Sequence, residues 1–161
     1  MQISSAPHDA RPAAASAYRE RLSPSLKILA GAAIVAPMVS LVFVRYDAFV
    51  ALGLGVAAAV ALIAALVLSA PRVVVAAGEL RAGRAHIDVT LLGEPLALTG
   101  DEARAARGQR LDARGWYLIR GGIDGIVLVE NTDPDDPITS WTISSRTPDR
   151  LAAAIRRAQG R

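Results

Sequence analysis

From Leu26 to Ala70 the chain is nearly unbroken hydrocarbon, with Lys27, Arg45 and Asp47 as its only charged side chains. From Arg72 to Arg161 apolar and charged residues instead alternate at short range. One soluble core would spread its apolar positions more evenly, whereas a membrane part joined to a soluble part produces this block pattern. Residues 48–70, AFVALGLGVAAAVALIAALVLSA, carry no charge and are ended by Pro71-Arg72. As a helix this stretch is roughly 35 Å long at about 1.5 Å per residue, enough to cross a hydrocarbon layer about 30 Å thick.

Arg45-Tyr46-Asp47 divides the oily block in two. A single helix across it would leave Arg45 and Asp47 at the bilayer centre, so the pattern predicts a hairpin with spans over 26–44 and 48–70. Phe43, Tyr46 and Phe49 around the turn fit an interfacial aromatic belt, and Lys27 can snorkel to the headgroups. Pro37 predicts a kink in the first span. Arg11, Arg19, Arg21 and Lys27 precede the hairpin and Arg72, Arg81 and Arg84 follow it, while Asp47 offsets Arg45 in the turn. By the positive-inside rule both termini are then cytoplasmic, as in a multi-pass protein of the plasma (inner) membrane. A cleaved signal peptide is disfavoured by the long polar lead, the lack of an A-x-A site near Val44 and the immediate second span.

After Pro71 short β-branched runs are separated by turn residues. They predict about seven antiparallel strands, at 72–76, 79–83, 85–92, 95–98, 116–120, 125–131 and 138–144. TGDEARAARG predicts a short helix whose capping box is Thr99 with Glu102. A last helix begins at Thr147-Pro148 and buries Leu151, Ala154, Ile155 and Ala158. The expected fold class is an α+β membrane protein: a two-helix transmembrane hairpin followed by a small antiparallel β domain with a short internal helix and a C-terminal helix. Its parts are a tail at 1–17, disordered by its Ala-, Ser- and Pro-rich composition, the hairpin at 18–71 and the β domain at 72–161.

Charge and composition narrow the partners. The chain has 161 residues and a formal net charge of +3, but from Arg72 onward thirteen arginines face twelve acids. The soluble part is therefore nearly neutral, and no nucleic-acid partner is expected. Without cysteine there are neither disulfides nor thiolate metal sites.

Few residues offer chemistry. Gly53-Leu54-Gly55-Val56-Ala57-Ala58 matches the dinucleotide fingerprint formally, yet it sits in an apolar stretch with no acid where the ribose contact belongs. Gly53, Ala57 and Ala61 are better read as a small-residue stripe for helix packing, against the first span or a second copy of the chain. Asp133, Asp135 and Asp136 resemble calcium ligands, but the twelfth loop position is Ser144 rather than Glu, and Pro134 and Pro137 mark a turn. His86 and Asp88 would share a strand face without a nucleophile motif beside them, and the other histidine, His8, lies in the tail. Arg104, Arg107, Arg110 and Arg114 form a basic run that either meets lipid headgroups or makes a solvated face beside Asp101, Glu102 and Asp112. No catalytic residue, metal or cofactor is expected.

Tyr18-x-Glu20-Arg21-Leu22 before the first span, GELRAGRA over 78–85, TDPDDP, and Trp141-x-x-Ser144-x-Arg146-x-Pro148-x-x-Leu151 run in an order that resembles a family of short, alanine-rich actinobacterial membrane proteins of unknown function. Those proteins have two spans and a small soluble domain. This chain departs from them in Ile138-Thr139-Ser140 before Trp141, and in a first span without tryptophan. The soluble half also looks like the pleckstrin-homology-like domains of bacterial membrane proteins, a likeness that would carry fold and not function.

The expected function is a non-enzymatic interaction or scaffold module anchored in the bilayer, with a protein partner and with the spans able to pair between copies. A sensor of anionic lipid through the arginine run is the alternative. A hydrolase or transferase around His86 and Asp88 is the second.

Overall fold

A computed structural model of the chain describes residues 18–161; the tail expected to be disordered lies outside the described residues. Helix α1 (Leu26–Ala33) and helix α2 (Val35–Phe43) together form the first apolar rod, and α3 (Ala48–Leu68) forms the second. Both rods are long and apolar enough to cross a membrane. The break between α1 and α2 falls at Ile34, three residues ahead of Pro37, whose ring crowds the preceding turn and whose nitrogen cannot bond the Ala33 carbonyl. Ser25 caps α1 by accepting the Ile28 amide, and Asp47 caps α3 by accepting that of Val50 at 2.9 Å. The break in the oily pattern at Arg45-Tyr46-Asp47 thus becomes a turn and a helix start.

The two rods pack along Ala51, Gly55 and Ala59, which are the buried residues of α3. A Cβ on Gly55 would collide with the Ser40 hydroxyl and the Ala36 carbonyl, so only glycine permits this approach. The outer surfaces are bare hydrocarbon: Phe49 is 88 % exposed and Leu41 72 %. A core helix of a water-soluble domain would bury such side chains.

Among the described residues the β domain has eight strands in two four-stranded sheets, where the sequence predicts about seven. All seven are present. The added one, β1 (Tyr18–Arg21), precedes the hairpin, where the sequence pattern assigns a polar lead-in to the first span. It pairs antiparallel with β2 (Arg72–Ala76), with Tyr18 opposite Val75 and Arg21 opposite Arg72. Then β3 (Glu79–Ala82) and β4 (Ala85–Asp88) complete the sheet in the order β1-β2-β3-β4. The predicted strand 85–92 is cut short because the Asp88 carboxylate accepts the Thr90 amide and turns the chain into a 3-10 segment.

The second sheet has the order β5-β7-β8-β6, built from β5 (Leu96–Leu98), β6 (Trp116–Leu118), β7 (Ile126–Glu130) and β8 (Ser140–Ser144). β6 runs parallel to β8, so the sheet is mixed rather than antiparallel throughout. Helix α4 (Gly100–Ala106) sets Ala103 and Ala106 on Ile126, while Val127 and Val129 face the main core. Thr99 is its N-cap residue, but no side-chain bond of a capping box forms there. Helix α5 (Pro148–Ala158) buries Leu151, Ala152, Ala154 and Ile155 against both sheets; Ala158 is half-buried. Leu22, directly after β1, is fully buried in this same core, so the lead-in to the first rod belongs to the β domain.

The contact at Gly55 sets a test. Gly55→Leu should separate the rods and destabilise the detergent-solubilised protein by about 1–3 kcal/mol, the usual range for overpacking. Gly53→Leu, where a side chain meets open space within the chain, should leave the melting temperature of the monomer unchanged.

Candidate functional site at the root of the hairpin

Where the two rods meet the β domain, β1 alternates its side chains: Tyr18 and Glu20 are half-buried, and Arg19 and Arg21 are exposed. The inward pair meets the loop between β8 and α5. Glu20 Oε2 accepts the Tyr18 hydroxyl and the Ser145 hydroxyl, each at 2.6 Å, and Oε1 accepts the Arg146 amide at 2.8 Å. The Tyr18 oxygen also lies 3.2 Å from Ser145 Oγ and 3.0 Å from Thr147 Oγ1. The Arg146 guanidinium then donates back to the carbonyls of Arg21 and Ser23, at 3.2 and 2.6 Å. β1 and the start of α5, more than a hundred residues apart in sequence, are thereby clamped by one carboxylate and one guanidinium.

The chemistry of this clamp is that of a fastening. Three donors take up the Glu20 carboxylate, and Ser145 has a carboxylate beside it rather than an imidazole base. Burial, and then the hydrogen bond to Glu20, raise the Tyr18 phenol above its ordinary pKa, which keeps it neutral and donating.

A second set of contacts holds the rods themselves. Arg21 donates to the Val67 carbonyl at 2.7 Å and Arg120 to the Ser69 carbonyl at 3.5 Å, placing two cations at the negative end of the α3 dipole. The loop after β6 is pinned by the Arg120 amide on Ser144 Oγ at 3.0 Å. Its tip passes so close to Ser25 that a Cβ on Gly122 would strike that side chain, and Gly122 has a left-handed φ of 77°. The mouth of α1, the end of α3 and the loop over 119–122 therefore form one rigid junction.

The residues singled out from the sequence fall elsewhere. Gly53, Ala57 and Ala61 are exposed on α3, on the side away from the Ala51–Gly55–Ala59 contact with the first rod. Arg104 pairs with Asp101 at 2.7 Å; Arg107 donates to the Ile123 carbonyl at 2.8 Å; Arg110 is exposed beyond α4. Arg114 is exposed, with its amide on Asp112. The run is thus strung along α4 and its following loop, with two of its guanidiniums engaged. The Asp112 carboxyl is held below the usual carboxylate range by the Thr139 hydroxyl first and the Arg114 amide second.

His86 is exposed, 3.8 Å from Glu79, and Asp88 bonds Thr90 instead of the histidine. In TDPDDP, Asp133 accepts the Asp135 amide, and Asp136 accepts the Ile138 amide and the Asn131 side chain, as turn-forming carboxylates do. Among the described residues no group of three His, Cys, Asp or Glu could hold a metal ion.

Tyr18, Glu20, Ser145 and Arg146 were not marked as a site by residue type or spacing. A usable signal was topological: a hairpin returns its two flanks to one place, so the alternating YRER before it and RVVVA after it are neighbours. The two motif pieces Tyr18-x-Glu20-Arg21-Leu22 and Ser144-x-Arg146-x-Pro148 meet at this junction.

A family profile described as a protein of unknown function, DUF3093, matches residues 17–155. No curated protein and no solved structure matches the chain.

Glu20→Ala should lower stability by about 1.5–3 kcal/mol, the range for a hydrogen bond to a charged group, and Glu102→Ala on the exposed face of α4 should not. The raised Tyr18 pKa gives a pH signature. The folded state holds the phenolic proton more tightly than the unfolded chain, so its contribution is complete below about pH 10 and is lost as pH rises through the folded value. In thermal melts at increasing alkaline pH, Tyr18→Phe should remove that part of the decline.

Proposed function

The chain belongs to the DUF3093 family, whose function is unknown, and we propose that it is a membrane-anchored, non-enzymatic interaction module. In this reading the hairpin crosses the plasma membrane twice and holds the β domain at the cytoplasmic face. The observation that carries it is the pair of adjacent apolar rods whose outer surfaces stay uncovered by the rest of the described residues, only 6 % and 17 % of the two apolar stretches being buried. In water this exposed hydrocarbon is unfavourable by about 25 cal/mol per Å², whereas lipid accepts it at no such cost.

The root of the hairpin supports the same reading. α3 ends at Leu68 and β2 begins at Arg72, so the β domain stands directly on the rods without a flexible linker. Cations flank the rods on the domain side, the arrangement expected for a cytoplasmic domain. The clamp around Glu20 consolidates the domain and offers no nucleophile with a base. A partner protein is the expected ligand, and a second copy paired through Gly53, Ala57 and Ala61 would leave the α2–α3 contact intact.

Full-length protein should remain in the pellet after alkaline carbonate washing and ultracentrifugation, and release into the supernatant would overturn the anchoring. In intact cells, a cysteine placed at Gly160 should react only with membrane-permeant maleimide, and one placed at Tyr46 with the impermeant reagent as well.

A further inference from the structure

Five cations converge on the domain side of the hairpin root. Arg21 lies opposite Arg72 in the first sheet, and the Arg72 carbonyl accepts the amide of Gly83, which puts Arg84 in the adjoining β3–β4 turn. A Cβ on Gly83 would lie within 4 Å of both Pro71 and Leu118, so that turn abuts the linker and the start of the 119–122 loop. Arg120 reaches the Ser69 carbonyl from this loop, and Gly121 lies beside Ile28 in α1, whose first turn carries Lys27. The five are therefore distributed around the ends of both rods, at one level of the molecule.

Their surroundings are those of a headgroup layer. Arg21, Lys27, Arg72 and Arg84 are exposed, and none of the five forms an ion pair among the described residues. Glu20, next to Arg21 in sequence, has its carboxylate occupied by Tyr18, Ser145 and the Arg146 amide. Ile119 immediately before Arg120, and Leu26 immediately before Lys27, add exposed apolar side chains at the same level, Leu26 being 81 % exposed. An apolar side chain beside a cation suits an interface whose inner part is hydrocarbon and whose outer part is phosphate.

We infer that Arg21, Lys27, Arg72, Arg84 and Arg120 form a collar that binds the phosphates of anionic lipids and seats the β domain on the bilayer with its β3–β4 turn and 119–122 loop against the headgroups. The inference rests on the anchored reading above. It assigns headgroup contact to the collar in place of the 104–114 arginine run, where Arg104 is neutralised by Asp101 and Arg107 pairs with Asp124 at 3.7 Å, whereas no collar cation has an acidic partner among the described residues.

The test uses full-length protein in nanodiscs of phosphatidylcholine with a minor fraction of phosphatidylglycerol, reading by native mass spectrometry the ratio of the two lipids retained. Wild type should retain phosphatidylglycerol preferentially. Each of Arg72→Gln and Arg84→Gln, neither of which removes a side-chain bond within the described residues, should reduce that preference about fivefold, the equivalent of one surface cation. The double variant Arg72→Lys with Arg84→Lys, which keeps the charge, should preserve it and controls for folding. Arg104→Gln with Arg110→Gln should leave it unchanged. Equal retention of both lipids by wild type, or a preference lost in the 104/110 variant and kept in the 72 and 84 variants, would overturn the collar. Carbonate extraction separates this failure from the other: a protein that stays in the membrane but ignores headgroup charge loses the collar alone.

Discussion

The pairing of β1 with β2 is the constraint on which the rest of the molecule depends. Each is joined to one rod within a few residues, and the register that sets Arg21 against Arg72 closes the ring formed by the two rods and their connecting turn. Neighbouring strands lie about 5 Å apart, so that closure returns the chain on both sides of the hairpin to one place before any side chain between the rods is considered. The rods lie closest farther out, in the half toward the connecting turn, where Ala51, Gly55 and Ala59 supply the small residues that close approach requires. The hydrogen bonds from Arg21 to the Val67 carbonyl and from Arg120 to that of Ser69, just past the end of α3, then stiffen what the strand pairing has aligned.

The clamp at Glu20 extends the same constraint to the far end of the chain. Antiparallel pairing satisfies one edge of β1; its inward side chains satisfy the polar groups of the β8–α5 connection. Removing β1 would leave Ser145 and the Arg146 amide without their carboxylate and would uncover Val73, Val75 and the space now filled by Leu22. Polar satisfaction and apolar burial therefore fail together, the mark of a cooperative unit rather than of a lead-in peptide.

Much of this architecture was legible in the sequence because it rests on local signals. The oily block, the Arg45-Tyr46-Asp47 interruption, the β-branched runs after Pro71 and the Thr147-Pro148 helix start all act within a few residues, and each corresponds to an element. What was not legible was non-local. Tyr18–Arg21 has only four residues and no β-branched side chain, so nothing within the segment marks it as a strand; its partner lies across the whole hairpin. The parallel pairing of β6 with β8 is set by the path through β7, which no pattern in Trp116–Leu118 encodes. Four-residue spacing of small residues occurs twice on α3, at 51, 55, 59 and at 53, 57, 61, and only the approach of Ser40 and Ala36 shows which faces the first rod. The arginine run at 104–114 stood out because its members are close in sequence; of the cations around the rod ends, Arg21, Lys27, Arg72 and Arg84 are visible as flanks of the hairpin, and only Arg120, brought in by the loop after β6, is not.

Chain order gives the β1–β2 ladder a further meaning. β1 leaves the ribosome ahead of both rods, and β2 only after both are made, so the first strand waits through the synthesis of the entire hairpin for its mate. With the rods in a bilayer, the two strands meet only if the chain has crossed and come back; one missed crossing would strand them on opposite sides of the lipid. For a chain anchored as proposed, completion of the sheet is thus conditional on correct insertion, and a miswired copy would be left with an unfinished core.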